Sequence, residues 1–286
     1  KLYSLHRMFN DYVLPGTGIE VVRVNQHSLQ QELTEDARIL VLPGARESSA
    51  YRNELAGEKF NKLSRRIDGG MHVLGICAGA YVLAREFDFN VYDEGSGKLL
   101  EQRHIRSNLG LADIKAFGPD MRLYTPRPRE EGNPWSVYSL ADVSFEGRNG
   151  LTTAPLAISR APSFGEPLSG QCTVMARYAA TGDAAIVRFT QGQGGGVLVG
   201  PAFEVGGRNL QHYVHPRHAN DLHSQSIMQR LSEAAPAWSE LVHQTFQTLL
   251  PGEEKVHRQI ARNLRRGLAL PSAVRMAVRA QSGPHV

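Results

Sequence analysis

The sequence is poor in cysteine, with two in 286 residues, and two thiols in unlike contexts make no disulfide framework. It shows neither a signal peptide nor an apolar run long enough to span a bilayer, so a reducing cytoplasm is the expected compartment and both thiols are expected to stay free. Neither sign of charge dominates its body. Residues 251–286 hold seven Lys/Arg against Glu253 and Glu254, which leaves 25 cations against 26 anions before them. Such a body weighs against a nucleic-acid-binding domain, and only the basic tail is suited to an acidic partner or a membrane surface. A metal centre is not expected either. His212, His215 and His218 recur every third residue, but Pro216 interrupts any helix that would align them and no cysteine or carboxylate pair completes a site.

What is present is ordinary globular composition, 41% hydrophobic and 21% charged, organised around the stretch from Arg38 to Glu86. Ile39-Leu-Val-Leu42 reads as a buried parallel strand ending in the turn Pro43-Gly44-Ala45, and Tyr51 to Arg66 as its crossover helix. Gly69-Gly70 closes that helix before a second strand, Met71 to Ile76, completing a right-handed βαβ unit. This strand runs into Cys77 and then into Ala78-Gly-Ala-Tyr-Val-Leu-Ala84, whose spacing suits a helix.

Gly75-Ile-Cys-Ala-Gly79 is therefore the cysteine form of the G-x-S-x-G corner, with glycines two before and two after the candidate nucleophile. The pattern predicts a Cys77 side chain turned away from the sheet toward solvent, at the positive end of a helix. The bland alternative is a cysteine that fills core. Cys172, in the strand-like run Gln171 to Tyr178 with no glycine corner, is read that way.

Elsewhere, Leu2, Leu5, Met8, Phe9 and Tyr12 predict an opening helix, Ile19 to Val24 a strand, and Ser28 to Glu35 a short helical turn. Residues 87–167 are read as a β-rich insertion, with strand-like pieces at Leu109–Phe117, Trp135–Val143 and Leu156–Ser159. Strands at Cys172–Tyr178 and Ala184–Phe189 lead through the glycine cluster Gly192 to Gly196, read as a hairpin turn, to a strand at Val197–Gly200. Trp238 to Leu250 reads as a core helix. Val256, Ile260, Leu264 and Leu268 give the Arg-rich tail a narrow apolar stripe, for docking on the body or for anchoring at a partner or anionic membrane. The expected organisation is one domain over 1–250 and a basic helical tail over 251–286. The fold expected is α/β, three-layered, with a mainly parallel flavodoxin-like sheet.

The run Leu42-Pro-Gly-Ala45, then Tyr51 and Leu55, then Asp68 through Cys77 to Tyr81, resembles the amidotransferase-like domain at the amino end of biotin-protein ligases. More broadly it is similar to the class I glutamine amidotransferase superfamily. Leu109-Gly-Leu111, Phe117-Gly-Pro119, Ala184 to Val187 and Gly194 to Pro201 agree, so the resemblance covers roughly residues 19–205. It implies a Cys77 nucleophile, an oxyanion site formed by backbone amides of Gly44, Ala45 and Ala78, a small amide or ester substrate, and no cofactor. It departs from the family in three places. No ligase catalytic domain is recognisable, so biotin ligation is not expected. The family's opening strand would precede Leu2, so the sequence is expected to start late. Where active superfamily members carry His-x-Glu after the last strand, this chain has Ala202-Phe203-Glu204, which keeps the carboxylate and lacks the base.

Two functions follow: a cysteine hydrolase or amidotransferase-like enzyme with an incomplete triad, or a non-catalytic small-molecule- or protein-binding module on the same fold.

Overall fold

The computed structural model describes residues 2–22, 36–45, 48–93, 98–107, 109–124, 139–206 and 222–268. Helix α1 (Leu2–Met8) forms where its spacing predicts and continues as a wider helical turn over Phe9–Val13, burying Leu5, Met8, Phe9 and Tyr12. The strand expected at Ile19 does not form in its described part. Residues 19–22 join no ladder, and Val21 and Val22 are 45% and 60% exposed. The turn expected from Ser28 to Glu35 lies outside the described residues.

The βαβ unit is present, with strand β1 (Ile39–Leu42) parallel to β2 (His72–Ile76) and Val41 opposite Leu74. Its crossover is two helices rather than one, α2 (Ser49–Glu54) and α3 (Glu58–Asp68), because Gly57 takes φ 66° between them. Helix α3 turns Leu63 and Ile67 inward, and both are fully buried. Helix α4 (Ala78–Leu83) follows Cys77 but lasts only six residues before the chain extends again.

Eight more strands follow before β11: β3 (Ala84–Tyr92), β4 (Leu99–Arg106), β5 (Ala112–Gly118), β6 (Ser139–Gly147), β7 (Gly150–Ile158), β8 (Ser163–Phe164), β9 (Cys172–Tyr178) and β10 (Ala184–Gln191). Strand β11 (Gly194–Val199) then returns to the middle of the sheet, whose order is β1-β2-β11-β10-β8-β5-β3-β4, with β9, β6 and β7 branching from β10. The pairs β1–β2, β2–β11 and β3–β5 are parallel. The other pairings among the described residues are antiparallel. The sheet is therefore mixed, which corrects the expectation of a mainly parallel one. The cause lies in the connections: β3–β4, β6–β7 and β10–β11 are joined by a few residues each, and so short a link can only reverse the chain. The glycine cluster is the last of these turns, as its sequence predicts, with Gln191 opposite Gly194.

Alternation along the parallel strands sends successive side chains to opposite faces. Val73 and Leu198 share one core with Leu63 and Ile67 of α3. Leu74, Ile76, Val197 and Val199 share the other with helix α6 (Ala235–Leu249), through Trp238, Leu241, Val242 and Phe246. Helix α5 (Leu222–Glu233) precedes α6, and α7 (Glu254–Leu268) follows it. Of the two alternatives for the apolar stripe of α7, the structure shows docking. Ile260 and Leu264 are buried in the α6 core, and Asn263 Nδ2 donates to the carbonyls of Tyr12 and Pro15 at 3.0 and 2.9 Å. Arg258, Arg262, Arg265 and Arg266 stay exposed.

Between α6 and α7, His243 Nε2 donates to the His257 carbonyl at 3.2 Å. Burial pulls the His243 imidazole below its usual pKa, and burial lowers that of His72 as well. Each takes up a proton less readily in the folded chain than in the unfolded chain, which does so below about pH 6.5. The stability they contribute is full above that pH and is lost as pH falls from there through the lowered folded-state pKa. Urea unfolding should thus give a lower midpoint at pH 5.5 than at pH 7.5, with a shallower fall in His243→Gln. A midpoint that rises on acidification would contradict this.

Candidate active site

Strand β2 ends at a corner fixed from two sides. The Cys77 N–H donates to the Val199 carbonyl at 2.9 Å, the last bond of the β2–β11 ladder, while the Cys77 carbonyl accepts from Tyr81 N–H at 3.0 Å, the first bond of α4. One residue therefore closes a strand and opens a helix. Its backbone takes φ 51° and ψ −106°, outside the regions L residues ordinarily occupy. Strain of that kind costs on the order of 1–3 kcal/mol and persists only where surrounding contacts over-determine it. Cys77 and Arg160 are the two non-glycine residues with positive φ among those described.

The flanking glycines are required by close approach. A Cβ at position 79 would overlap the Leu42 carbonyl, and one at position 75 would come within 2.9 Å of the Gly79 carbonyl group. The first turn of α4 thus lies against the end of β1, where Leu42 leads into Pro43, Gly44 and Ala45. Tyr51 Oη donates to the Pro43 carbonyl at 2.8 Å and pins that turn. The structure accordingly brings the corner, Ala78 and the Gly44-Ala45 turn to one edge of the sheet.

Solvent is not where Cys77 points, contrary to the expectation from its motif: the residue is 6% exposed. The corner is roofed by the segment after β7, and Sγ faces the carbonyls of Ser159 and Arg160 at 3.6 and 4.0 Å. A thiol can donate to a carbonyl, whereas a thiolate meets its negative end. The same roof is clamped from other elements. Tyr124 Oη accepts from Ala161 N–H at 3.2 Å, and Tyr178 Oη donates to the Pro162 carbonyl at 2.9 Å. The hydroxyl of Tyr81 and that of Ser163 are buried with no hydrogen-bond partner among the described residues.

Four tyrosines feel a charge at Cys77. Burial first, and then Cys77, pushes Tyr51 up to about 12 and Tyr81 well above the usual phenol range. Tyr124 is raised chiefly by burial, with Cys77 adding to it, and Tyr178 by burial, Tyr124 and Cys77. At neutral pH these phenols remain protonated. They can donate hydrogen bonds, but none can serve as a general base.

Beyond β11, the Ala202 N–H donates to the Ala157 carbonyl at 2.7 Å. Its methyl packs in a small apolar cluster with Ala157, Val205, Ile227 and Leu231. Cys77 belongs to a different cluster. Glu204 is 1% exposed on the same turn, while Trp238 Nε1 donates to the neighbouring Phe203 carbonyl at 2.7 Å. Among the described residues no group of three or more His, Cys, Asp or Glu could hold a metal ion, and His212, His215 and His218 lie outside them.

Residues 7–117 match the family "Biotin-protein ligase, N terminal". The matched region contains β1, the crossover, the Cys77 corner and β5. A second comparison agrees with an amidotransferase-like superfamily: the pyridoxal 5'-phosphate synthase subunit PdxT of Ignicoccus hospitalis is 33% identical over 115 residues, which is 40% of this chain and 50% of that protein. The chain thus spans about half the length of the relative it matches. Among solved structures, Gan42B, a GH42 beta-galactosidase from G. stearothermophilus, covers 70% of this chain and 23% of its own at 14% identity and a TM-score of 0.41. That likeness is too slight to bear on function.

Within the biotin-protein ligase N-terminal match, Tyr51 and Tyr81 stand in the runs that carry the family resemblance, yet sequence assigned them no part in the site. Tyr81 was within reach of sequence reasoning, since four residues after Cys77 on a helix is one turn away. The roof from Ser159 to Ser163 carried no such signal. Cys172 lies in β9 as expected, buried, its thiol pushed up to about 11, first of all by burial.

No described helix is long and apolar enough to cross a membrane.

Proposed function

We propose that Cys77 is the nucleophile of an acyl-transfer site on an amidotransferase-like fold, and that the site lacks its general base. The observation that carries this is the backbone of Cys77 itself. A non-glycine residue is held at φ 51° and ψ −106° between a buried parallel strand and a helix, with two glycines whose hydrogens admit the crossing. Strain retained at a reactive side chain is the usual mark of a site where geometry outranks stability. In this reading the amides of Ala78, Gly44 and Ala45 receive the oxyanion. Glu204 stays buried on the turn after β11, and Ala202 stands where the superfamily resemblance would put the imidazole that such a carboxylate orients. The chain then accepts acyl groups from activated esters or thioesters and hydrolyses amides poorly, because an amine leaving group must be protonated as it departs.

The fold that accompanies this reading is flavodoxin-like in its β1-β2-β11 block, with α3 and α6 on opposite faces and the hairpins added beyond β10. Two free cysteines suit a reducing, cytoplasmic setting. The exposed arginines of α7 would serve an acidic partner or membrane surface through charge alone.

A second reading, a non-catalytic binding module, is favoured by a separate observation: Sγ is roofed by two carbonyls, and position 202 faces an apolar cluster. Ammonia release from glutamine and simple amides tests the missing base. The native chain should release it no faster than Cys77→Ala. Native turnover that disappears in Cys77→Ala would show that another residue supplies the base.

A further inference from the structure

Strand β4 ends the sheet on one side and leaves its outer edge open. It pairs with β3, and among the described residues no element pairs with its other edge. Leu99 to His104 are exposed, Leu99 and Leu100 at 46% and 63%. An edge strand of eight residues offers a row of main-chain N–H and C=O groups to any second strand, and proteins ordinarily blunt such an edge with lysine, proline or a very short strand. The sequence Leu-Leu-Glu-Gln-Arg-His-Ile-Arg has none of these. The ladder to β3 shifts between Val91 and Tyr92, at the Leu99 end, so Glu101 to Arg106 run in unbroken register. Charges of both signs stand along that run. Arg103 Nη2 donates to Glu101 Oε2 at 2.7 Å, two residues apart on one face, and the two side chains are 57% and 51% exposed.

We propose that this edge pairs with the same edge of a second copy of the chain, antiparallel and centred on Gln102, to form a two-fold dimer with one sheet running through both copies. A two-fold axis normal to a continuous sheet keeps each face on its own side, so one residue must stand opposite itself. Centred on Glu101 or on Arg103, the pairing would oppose two glutamates or two arginines, which destabilises. Centred on His104, it would leave Arg103 opposite Ile105. Centred on Gln102, it sets Glu101 of each copy opposite Arg103 of the other and lays the Leu99–Leu100 end of each along the His104–Ile105 end of its mate. The four charges then alternate in sign across the axis. Gln102 Nε2 donates to Asn90 Oδ1 at 2.9 Å, which holds the central side chain to its own sheet. What singles out a second copy as the occupant is that the strand is complementary to itself.

Sedimentation equilibrium of the full chain over about 1–100 µM, the range suited to a small interface, is the test. The native chain should follow a monomer–dimer equilibrium that stops at two copies, since the axis uses up the edge. Arg103→Glu and Glu101→Arg should each weaken the dimer about thirtyfold, because a dimer holds two such pairs and each turns from attraction to repulsion. Mixed in equal amounts, the two variants should regain the native affinity as a heterodimer, since the glutamates of one then face the arginines of the other. Both positions are exposed, so each variant should keep the native circular dichroism spectrum. A native chain that stays monomeric, a species larger than two copies, or a dimer as tight in Arg103→Glu as in the native chain would overturn the proposal. Weakening in both variants without recovery on mixing, in chains with native circular dichroism, would also overturn it, by placing the contact elsewhere.

Discussion

Replacing Gly79 with alanine is expected to destabilise the chain by about 3 kcal/mol, at the upper end of what forced overpacking costs. Helix propensity alone gives the opposite sign, since Gly→Ala inside a helix normally stabilises by about 1 kcal/mol. Packing decides the outcome here. The added methyl would overlap the carbonyl of Leu42 and crowd its Cβ, and neither a backbone nor a Cβ can swing aside as the end of a long side chain can. Relief requires α4 to move off the end of β1, which takes Ala78 away from the Gly44-Ala45 turn. Gly57→Ala is the comparison. Position 57 has a positive φ, 66°, which position 79 lacks, and nothing lies within 4 Å of a Cβ there, so only a backbone cost of about 1–2 kcal/mol applies. Urea midpoints of the two variants should differ clearly. A Gly79→Ala chain as stable as the native one would show that the corner is looser than its geometry implies.

The part of the fold that was legible in sequence is the part with a strong local period. Ile39 to Leu42, the inward face at Leu63 and Ile67, and the run into Cys77 each announce a buried element, and each forms. The hairpins were harder to read. Strand β3 follows a six-residue helix without a break, and its alternation of Phe87, Phe89 and Val91 buries only Phe87 fully. Strand β4 pairs with β3 alone and is exposed along nearly its whole length, with Leu100 at 63%, so it carries no apolar period to detect. Missing these two made the sheet look more parallel than it is. The corner at Cys77 was legible because two glycines and a strand-to-helix change coincide in five residues. Its roof was not, because Ser159 and Arg160 act through main-chain carbonyls, which any residue supplies.

Cys77→Ala is expected to remove all covalent acyl transfer to the chain from an activated ester. In the native chain the thiolate attacks the ester carbonyl, an S–C bond forms as the C–O bond breaks, and the nitrophenolate of p-nitrophenyl acetate leaves with its electron pair. The leaving group needs no proton, so the absence of a general acid costs little at this step. Cys172 is the natural competitor, since both cysteines are 6% exposed. Burial has raised its thiol to about 11. That leaves it roughly a hundredfold less thiolate than a free cysteine at neutral pH. The adduct at Cys77 should also persist, because hydrolysing a thioester requires a base to activate water.

Peptide mass spectrometry of the native chain after brief exposure to a small excess of p-nitrophenyl acetate at neutral pH tests the assignment of Cys77 most directly. The account predicts one acetyl group per chain on the peptide containing Cys77, stable through buffer exchange and absent from Cys77→Ala. Acetylation confined to Cys172 or to lysines, or unchanged in Cys77→Ala, would contradict it and leave a binding module in its place.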